Sequence, residues 1–257
     1  KAFQKISRLA LQEKVDAVLI AGDVFDGADR SLQAQLKFRR ILKELSDENI
    51  QSFIVHGNHD PLDSWAHTLD WPEHVIIFPG NKVHRVPVKK EGKNIAWVYG
   101  ISYPQKEVTE NLALKFKNEK EEGFSIGLLH TNVGQQPGHD NYAPCSINDL
   151  VSRNFDYWAL GHIHEYKVLR ESEPAIVYSG NTQARHSREA GQKGCCLVTL
   201  STDHPPDIRF MSTDVVAYRS ATIDLQTAES INDVLRSIQV QCEELVKDSI
   251  PREGLVA

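Results

Sequence analysis

The sequence of 257 residues contains no apolar run that approaches the roughly 18–20 residues a membrane span needs. Basic residues are not in excess, because 29 Lys and Arg stand against 35 Asp and Glu, for a formal net charge of -6. No global positive field therefore predicts a nucleic-acid binder. Contact with DNA would have to be local, and the most basic stretch, residues 82–93, is more simply explained as a solvated, lysine-rich hairpin.

Cysteine is also scarce: the four cysteines form no Cys-x-x-Cys pair, and Cys195 and Cys196 are adjacent in an apolar run. This usage is typical of small core residues in a reduced, intracellular protein. We therefore expect a cytoplasmic protein with no membrane association. The sequence has neither internal repeats nor low-complexity segments, and its 40% hydrophobic composition predicts a globular chain with a sizeable core.

Short aliphatic runs alternate with helical periodicity through most of the chain. The runs at 15–23 and 51–60 are typical of strands buried on both faces, and a helix is predicted between them at 31–48. Further strands of this kind are predicted at 93–101, 124–132, 155–164, 175–181 and 194–200. The alternation of helices with fully apolar strands predicts a layered α/β fold.

The pattern changes after about residue 206, where alternating segments indicate strands that leave the core. Residues 228–247 predict an amphipathic helix. We place a domain boundary near 215, with one domain at 1–215 and the start of a second at 216–257. The chain opens in what reads as the middle of an amphipathic helix and closes in what reads as the start of a strand, so we expect a fragment of a longer protein.

Four of the buried strands end in carboxylate, amide or imidazole side chains. These are Asp23 and Asp26, Asn58 and His59, His130, and His162 and His164. In layered α/β folds, ligands bind at the carboxyl ends of the strands. Any one of these motifs alone is ordinary, and a lone buried histidine is more often a satisfied core residue than a ligand. The four together, at equivalent places, predict a single metal site.

Phosphoester hydrolysis by two metals explains these residue types. It needs two divalent ions roughly 3.5–4 Å apart, and a carboxylate such as Asp23 can bridge them with its two oxygens. Imidazole and amide ligands favour Mn²⁺, Fe²⁺ or Zn²⁺ over Ca²⁺. His162 and His164 lie two apart in a predicted strand, so both rings would point to the same side and each could reach one ion. The alternative is that they make ordinary core contacts.

The motif series Gly-Asp-Val-Phe-Asp, Gly-Asn-His-Asp, His130 and Gly-His-Ile-His resembles the calcineurin-like metallophosphoesterases over most of residues 1–215. The spacer sequences, such as HTNVGQQPGHDNYAPCSINDL and DYWALGHIHEYKVL, are most similar to the SbcD-type DNA repair nucleases and, within them, to a YhaO-like branch. The resemblance implies a four-layer α-β-β-α sandwich followed by an α+β cap, of which residues 216–257 would be the start.

The resemblance also implies a ligand set for two divalent ions. Asp23 would bridge both ions, Asn58, His130 and His162 would bind one of them, and His164 would bind the other. The expected metal is Mn²⁺, with Fe²⁺, Zn²⁺ or Mg²⁺ as alternatives.

Two further residues receive catalytic roles from the same resemblance. His59 would contact the scissile phosphate and protonate the leaving oxygen, with Asp26 orienting it, while a hydroxide activated by the two ions attacks. The family opens with an Asp-x-His motif that supplies two ligands to the ion held by His164, and this sequence lacks that motif. We therefore expect this chain to hold one ion at most and to be a weak or inactive catalyst. Arg185 and His186 could approach a phosphate or form a structural turn.

The leading functional hypothesis is a Mn²⁺-dependent DNA exo- or endonuclease subunit of a repair complex. The resemblance implies DNA as substrate, an SMC-like ATPase of the SbcC type as partner, and a homodimer. A second hypothesis keeps the metal centre but makes the substrate a small phosphodiester such as a cyclic nucleotide, because the fold does not fix the substrate. A third is a non-catalytic scaffold.

Overall fold

The computed structural model describes residues 1–25, 31–64, 70–134, 140–226 and 228–247. Within these ranges the chain forms four α-helices and eleven β-strands. The helices are α1 (Ala2–Gln12), α2 (Leu32–Asp47), α3 (Ile147–Val151) and α4 (Ile231–Lys247). The strands are β1 (Ala17–Ala21), β2 (Gln51–Val55), β3 (Val75–Ile77), β4 (His84–Lys90), β5 (Lys93–Ile101), β6 (Phe124–His130), β7 (Tyr157–Gly161), β8 (Lys167–Arg170), β9 (Ala175–Tyr178), β10 (Gly194–Thr199) and β11 (Asp207–Ser212).

Two sheets pack face to face at the centre of the molecule. Strands β1, β2 and β3 form a parallel sheet, and six others form a mixed sheet in the order β4-β5-β6-β7-β9-β8. Apolar side chains fill the space between the sheets, among them Phe53 and Val55 from the smaller sheet and Val98, Leu128 and Val177 from the larger one. Their burial removes apolar surface from water and holds the two sheets together.

Helices cover the outer face of each sheet. Leu42 of α2 and Ala10 of α1 pack with Ile54 on the small sheet. On the other side, α3 and a short 3-10 helix at Leu112–Lys115 cover the larger sheet around the fully buried Trp158. The layers therefore run α-β-β-α, and the predicted four-layer sandwich is confirmed.

Strand β2 shows why an unbroken apolar run suits this architecture. Successive side chains of a strand point to opposite faces of the sheet. Phe53 and Val55 therefore face the larger sheet, whereas Ile54 between them packs under the helices. Because both faces are covered, both sets of side chains are apolar, as in other parallel sheets.

Strand β1 differs from the prediction that it is buried on both faces. Val18 alone of its five residues is buried, since the described residues pair β1 only with β2 and leave its other edge without a partner strand. Strand β10 is likewise paired only with β11 in this part of the chain. A groove of about 440 Å³ separates β1 from β10, lined by apolar side chains of both strands, of α1 and of the larger sheet.

Other predictions of local structure are confirmed. The helices expected at 31–48 and 228–247 are α2 and α4, and the basic stretch 82–93 covers β4 and the turn of the antiparallel β4-β5 hairpin. The strand expected at 250–257 lies outside the described residues.

The cysteines are less uniformly buried than expected. Cys145 is buried, Cys195 and Cys196 are half-buried on β10 beside the groove, and Cys242 is exposed on α4. None of the described helices is both long enough and apolar enough to span a membrane.

Candidate metal centre

Four strands of the two sheets end at one edge of the sandwich. Asp23 follows β1, Asn58 follows β2, His130 is the last residue of β6, and His162 follows β7. Within each sheet the two strands concerned run parallel, so their carboxyl ends lie side by side. The packing of the sheets then brings the two pairs together, as expected from the sequence.

The ligand atoms of these residues lie close to one another. Oδ1 of Asn58 is 3.0 Å from Nε2 of His130 and 3.2 Å from Nδ1 of His162. Nε2 of His130 is also 3.3 Å from Oδ2 of Asp23. Neighbouring ligands of an octahedral ion at about 2.1 Å are about 3 Å apart, so these separations fit one divalent cation. The donor set of carboxylate, amide oxygen and two imidazoles suits Mn²⁺, Fe²⁺ or Zn²⁺.

Backbone carbonyl groups orient both imidazoles. Nδ1 of His130 donates to the carbonyl oxygen of Ala21 at 2.7 Å, and Nε2 of His162 donates to that of Asp140 at 2.8 Å. Because a carbonyl oxygen only accepts, those nitrogens carry the protons. In the neutral rings the lone pairs are therefore on the inward-facing nitrogens. Ring N–H bonds of this kind are typical of metal-binding histidines.

Asp23 and His130 each shift the pKa of the other. Burial acts to raise the pKa of Asp23, but the charge and hydrogen bond of His130 outweigh it and hold this pKa below its ordinary value. Burial acts to lower the pKa of His130, but the charge and hydrogen bond of Asp23 outweigh it and raise this pKa. The metal-free pair thus favours a carboxylate beside an imidazolium, and a bound cation would replace the imidazolium proton.

A buried carboxylate that the sequence analysis did not single out supports the loop that carries Asp23. Asp60 accepts hydrogen bonds from the backbone N–H groups of Asp23 at 3.1 Å, Gly57 at 2.9 Å and Val24 at 2.8 Å. Asp23 lies in the left-handed region, with φ +53°, which is uncommon for a residue other than glycine. The three bonds to Asp60 hold the chain in this conformation. The sequence feature that could have pointed to Asp60 is its position directly after Gly-Asn-His.

Two glycines allow the ligands to approach this closely. A Cβ on Gly57 would collide with Oδ1 of Asp23 and lie 2.6 Å from Cε1 of His130. A Cβ on Gly161 would collide with the carbonyl oxygen of Ala21, the acceptor that orients His130. These two positions therefore require glycine, because a side chain at either one would collide with the atoms that form or orient the ligand cluster.

Residues 1–166 match the sequence profile of the calcineurin-like phosphoesterases. The chain belongs to this family. It is 38% identical to the uncharacterised metallophosphoesterase YhaO of Bacillus subtilis over 242 residues, which cover 94% of this chain and 59% of that protein. It is 25% identical to the DNA double-strand break repair protein Mre11 of Methanocaldococcus jannaschii, over 93% of this chain and 66% of the relative.

The chain thus spans less than two thirds of the length of these two relatives. Among solved structures, the chain resembles GAP50, the anchor in the inner membrane complex of Plasmodium. The TM-score is 0.50 and the identity 13%, with 100% of this chain and 93% of that one covered. At that identity the likeness bears on the fold alone.

The residue predicted to act as general acid lies beside the ligand cluster. The backbone N–H of His59 donates to Oδ1 of Asp23 at 2.9 Å, and the residue is half-buried. Asp26, the predicted orienting partner of His59, lies outside the described residues. The roles of both remain predictions.

His164 is placed apart from the other predicted ligands. The group of acidic and imidazole side chains that the described residues bring close enough for one ion comprises Asp23, His130 and His162, without His164. The expectation that His162 and His164 share one side of a strand is wrong, because β7 ends at Gly161 and His162 has φ +96°. The alternation of a strand therefore does not apply to them.

His164 instead contacts a second residue that the sequence analysis missed. Its Nδ1 lies 2.6 Å from Oε1 of Glu189, whose other oxygen accepts from Nδ2 of Asn181 at 3.0 Å and from the backbone N–H of Arg185 at 2.7 Å. Burial acts to raise the pKa of Glu189, but these hydrogen bonds outweigh it and lower the pKa. Arg185 and His186 thus begin a turn that closes around Glu189.

Proposed function

We propose that this chain forms the nuclease domain of a metal-dependent DNA phosphodiesterase in a DNA repair complex. The convergence of Asp23, Asn58, His130 and His162 on one point is the observation that carries the hydrolytic part of this proposal. Its DNA part draws support from the name of the Mre11 relative. We propose Mn²⁺ as the metal and the cytoplasm as the location.

The residues of the centre would have different roles in hydrolysis. Asp23, Asn58, His130 and His162 would hold a divalent cation, which when bound polarises a phosphoryl oxygen and lowers the pKa of water. His59, next to the ligand cluster, would contact the scissile phosphate and donate a proton to the leaving oxygen. The backbone hydrogen bonds to Asp60 would keep Asp23 in place while charge develops on the phosphate.

A second ion would be held by Asp23 and His164, with further ligands from a strand added beside β1. Among the described residues, one edge of β1 has no partner strand, and β1 lines the groove. A strand that paired there would end near Asp23, and the family resemblance assigns the Asp-x-His motif to such a strand.

We further propose that residues 216–257 begin a cap that contacts DNA, and that the protein works as a homodimer with an SMC-like ATPase. Ile231 and Leu235 on α4 are exposed apolar side chains, 72% and 56% accessible, which supports further structure against this helix.

The test is a nuclease assay of the intact protein with Mn²⁺ on single-stranded and double-stranded DNA ends. His59→Ala should lower the rate by about 10²–10⁴-fold, whereas His84→Ala, an exposed histidine on β4, should leave it unchanged. Cleavage of a cyclic nucleotide or an aryl phosphodiester, but not of DNA, would replace DNA with a small substrate. No hydrolysis with Mn²⁺, together with retained binding to the ATPase, would favour a scaffold.

A further inference from the structure

Glu189 links His164 to the segment that contains Asn181 and Arg185. One of its oxygens accepts from Nδ1 of His164, and the other accepts from Asn181 and from the backbone of Arg185. The carboxylate is well enclosed, since the Glu189 side chain is 10% exposed. The His164 ring remains more open, at 28%.

The backbone of His164 is held by the same region of the chain. Its carbonyl oxygen accepts from Nζ of Lys193 at 3.1 Å and from the backbone N–H of Asn181 at 3.2 Å. Lys193 is buried, although lysine is rarely found inside proteins. The segment from Asn181 to Lys193 therefore fixes both the main chain and the ring of His164.

We propose that Glu189 is a positioning residue that sets the tautomer of His164. By accepting the Nδ1–H proton, its carboxylate leaves the lone pair on Nε2, the nitrogen at the far side of the ring. Which ring nitrogen is free to bind a metal is set by the hydrogen bond that the other one makes. This inference rests on the proposed function, in which His164 binds an ion.

The number of donors around Glu189 makes the proposal testable with a near-isosteric change. Three donors point at two carboxylate oxygens, two of them at Oε2 and one at Oε1. A glutamine has one oxygen and one NH₂ group. In Glu189→Gln the oxygen should face the two donors from Asn181 and Arg185, so the NH₂ group should face Nδ1 of His164. The ring must then accept at Nδ1 and carry its proton on Nε2.

The direct experiment is nitrogen-15 NMR of the His164 ring in the metal-free protein, at a pH high enough for the imidazole to be neutral. The His164 signals are assigned by their loss in His164→Gln. We expect an Nδ1–H tautomer in the wild type and an Nε2–H tautomer in Glu189→Gln. Glu165→Gln removes the same charge from the exposed neighbour of His164 and should leave the tautomer unchanged.

An Nε2–H tautomer in the wild type would overturn the proposal without reference to any variant. An unchanged tautomer in a folded Glu189→Gln protein, checked by circular dichroism, would overturn it as well. A merely structural Glu189 would stabilise the loop but would not control the position of a proton on His164.

A second readout separates this inference from the proposed function. In the intact protein, Glu189→Gln should weaken the Mn²⁺ site that contains His164 by about 10–100-fold, measured by calorimetry. If His164→Gln weakens that site and Glu189→Gln does not, the positioning role is refuted and the proposed function stands. If His164→Gln leaves Mn²⁺ binding unchanged, the proposed function of His164 fails, and the positioning role fails with it.

Discussion

Asp60→Asn tests how the chain holds its central metal ligand in place. The substitution keeps the shape of the side chain but exchanges one carboxylate oxygen for an NH₂ group. In the native protein, Oδ1 accepts from the backbone of Asp23 and Gly57, and Oδ2 accepts from that of Val24 at 2.8 Å. Asp60 is only 2% exposed, so water cannot replace a lost partner.

The size of the effect follows from these three bonds. The asparagine oxygen can keep the two donors at the Oδ1 position, and its NH₂ group must then face the N–H of Val24. A hydrogen bond to a charged acceptor contributes about 1.5–3 kcal/mol, and a buried donor left unpaired costs about 1–3 kcal/mol. Because these figures describe overlapping effects, we expect the free energy of unfolding to fall by about 2–4 kcal/mol.

Urea denaturation of the purified chain measures this difference. Asp63→Asn is the matched control, because Asp63 is exposed three residues further on, and it should change stability by less than about 0.5 kcal/mol. Asp60→Asn should also weaken Mn²⁺ binding, because the lost bond from the Val24 N–H helps to hold the left-handed backbone of Asp23 next to it. If Asp60→Asn and Asp63→Asn were equally stable, the bonds to Asp60 would not hold the loop that carries Asp23.

Three other substitutions or conditions probe the centre. Gly161→Ala should push the Ala21 carbonyl away from His130 and weaken Mn²⁺ binding by about 10–100-fold, and calorimetry showing wild-type affinity would contradict this. Mn²⁺ at about 100 times its Kd should stabilise the wild type by about 2.7 kcal/mol and should not stabilise Asp23→Asn. Thermal unfolding measures this, and an equal rise of the Tm in both proteins would exclude Asp23 as a ligand. Because the pKa of His130 is raised, Mn²⁺ must displace a proton below that pKa, so its affinity should rise about tenfold per pH unit and level off above it. An affinity that does not change with pH would refute this competition.

The same pKa directions predict how the metal-free pair affects folding. A raised His130 pKa contributes stability that is present below the ordinary imidazole pKa and lost as pH rises through the folded-state value. A lowered Asp23 pKa contributes stability that is present above the ordinary carboxyl pKa and lost as pH falls through the folded-state value.

Much of the fold could be predicted because a strand that is covered on both faces needs apolar side chains at successive positions. An apolar run such as Phe53–Val55 is stable only between two covering layers, and the alternation of these three side chains between two cores shows that requirement met. The exposure of β1 could not be predicted in this way, since it depends on which strands flank it and not on its own residues.

The candidate ligands could be predicted because parallel strands bring their carboxyl ends to one edge, whatever the distance along the chain. The supporting contacts could not, because they join distant segments through side chains with no distinctive spacing. Glu189 lies 25 residues beyond His164 in a segment with no motif, and only the folded chain brings the two together. The side-chain alternation expected for His162 and His164 does not apply, because the strand ends at Gly161, directly before the first of them.

The most direct test of the metal centre is anomalous diffraction from crystals of this chain soaked in Mn²⁺. We predict one peak within about 2.5 Å of the ligand atoms of Asp23, Asn58, His130 and His162. A peak elsewhere, or saturating Mn²⁺ that leaves this position without one, would contradict the assignment of these four side chains as metal ligands.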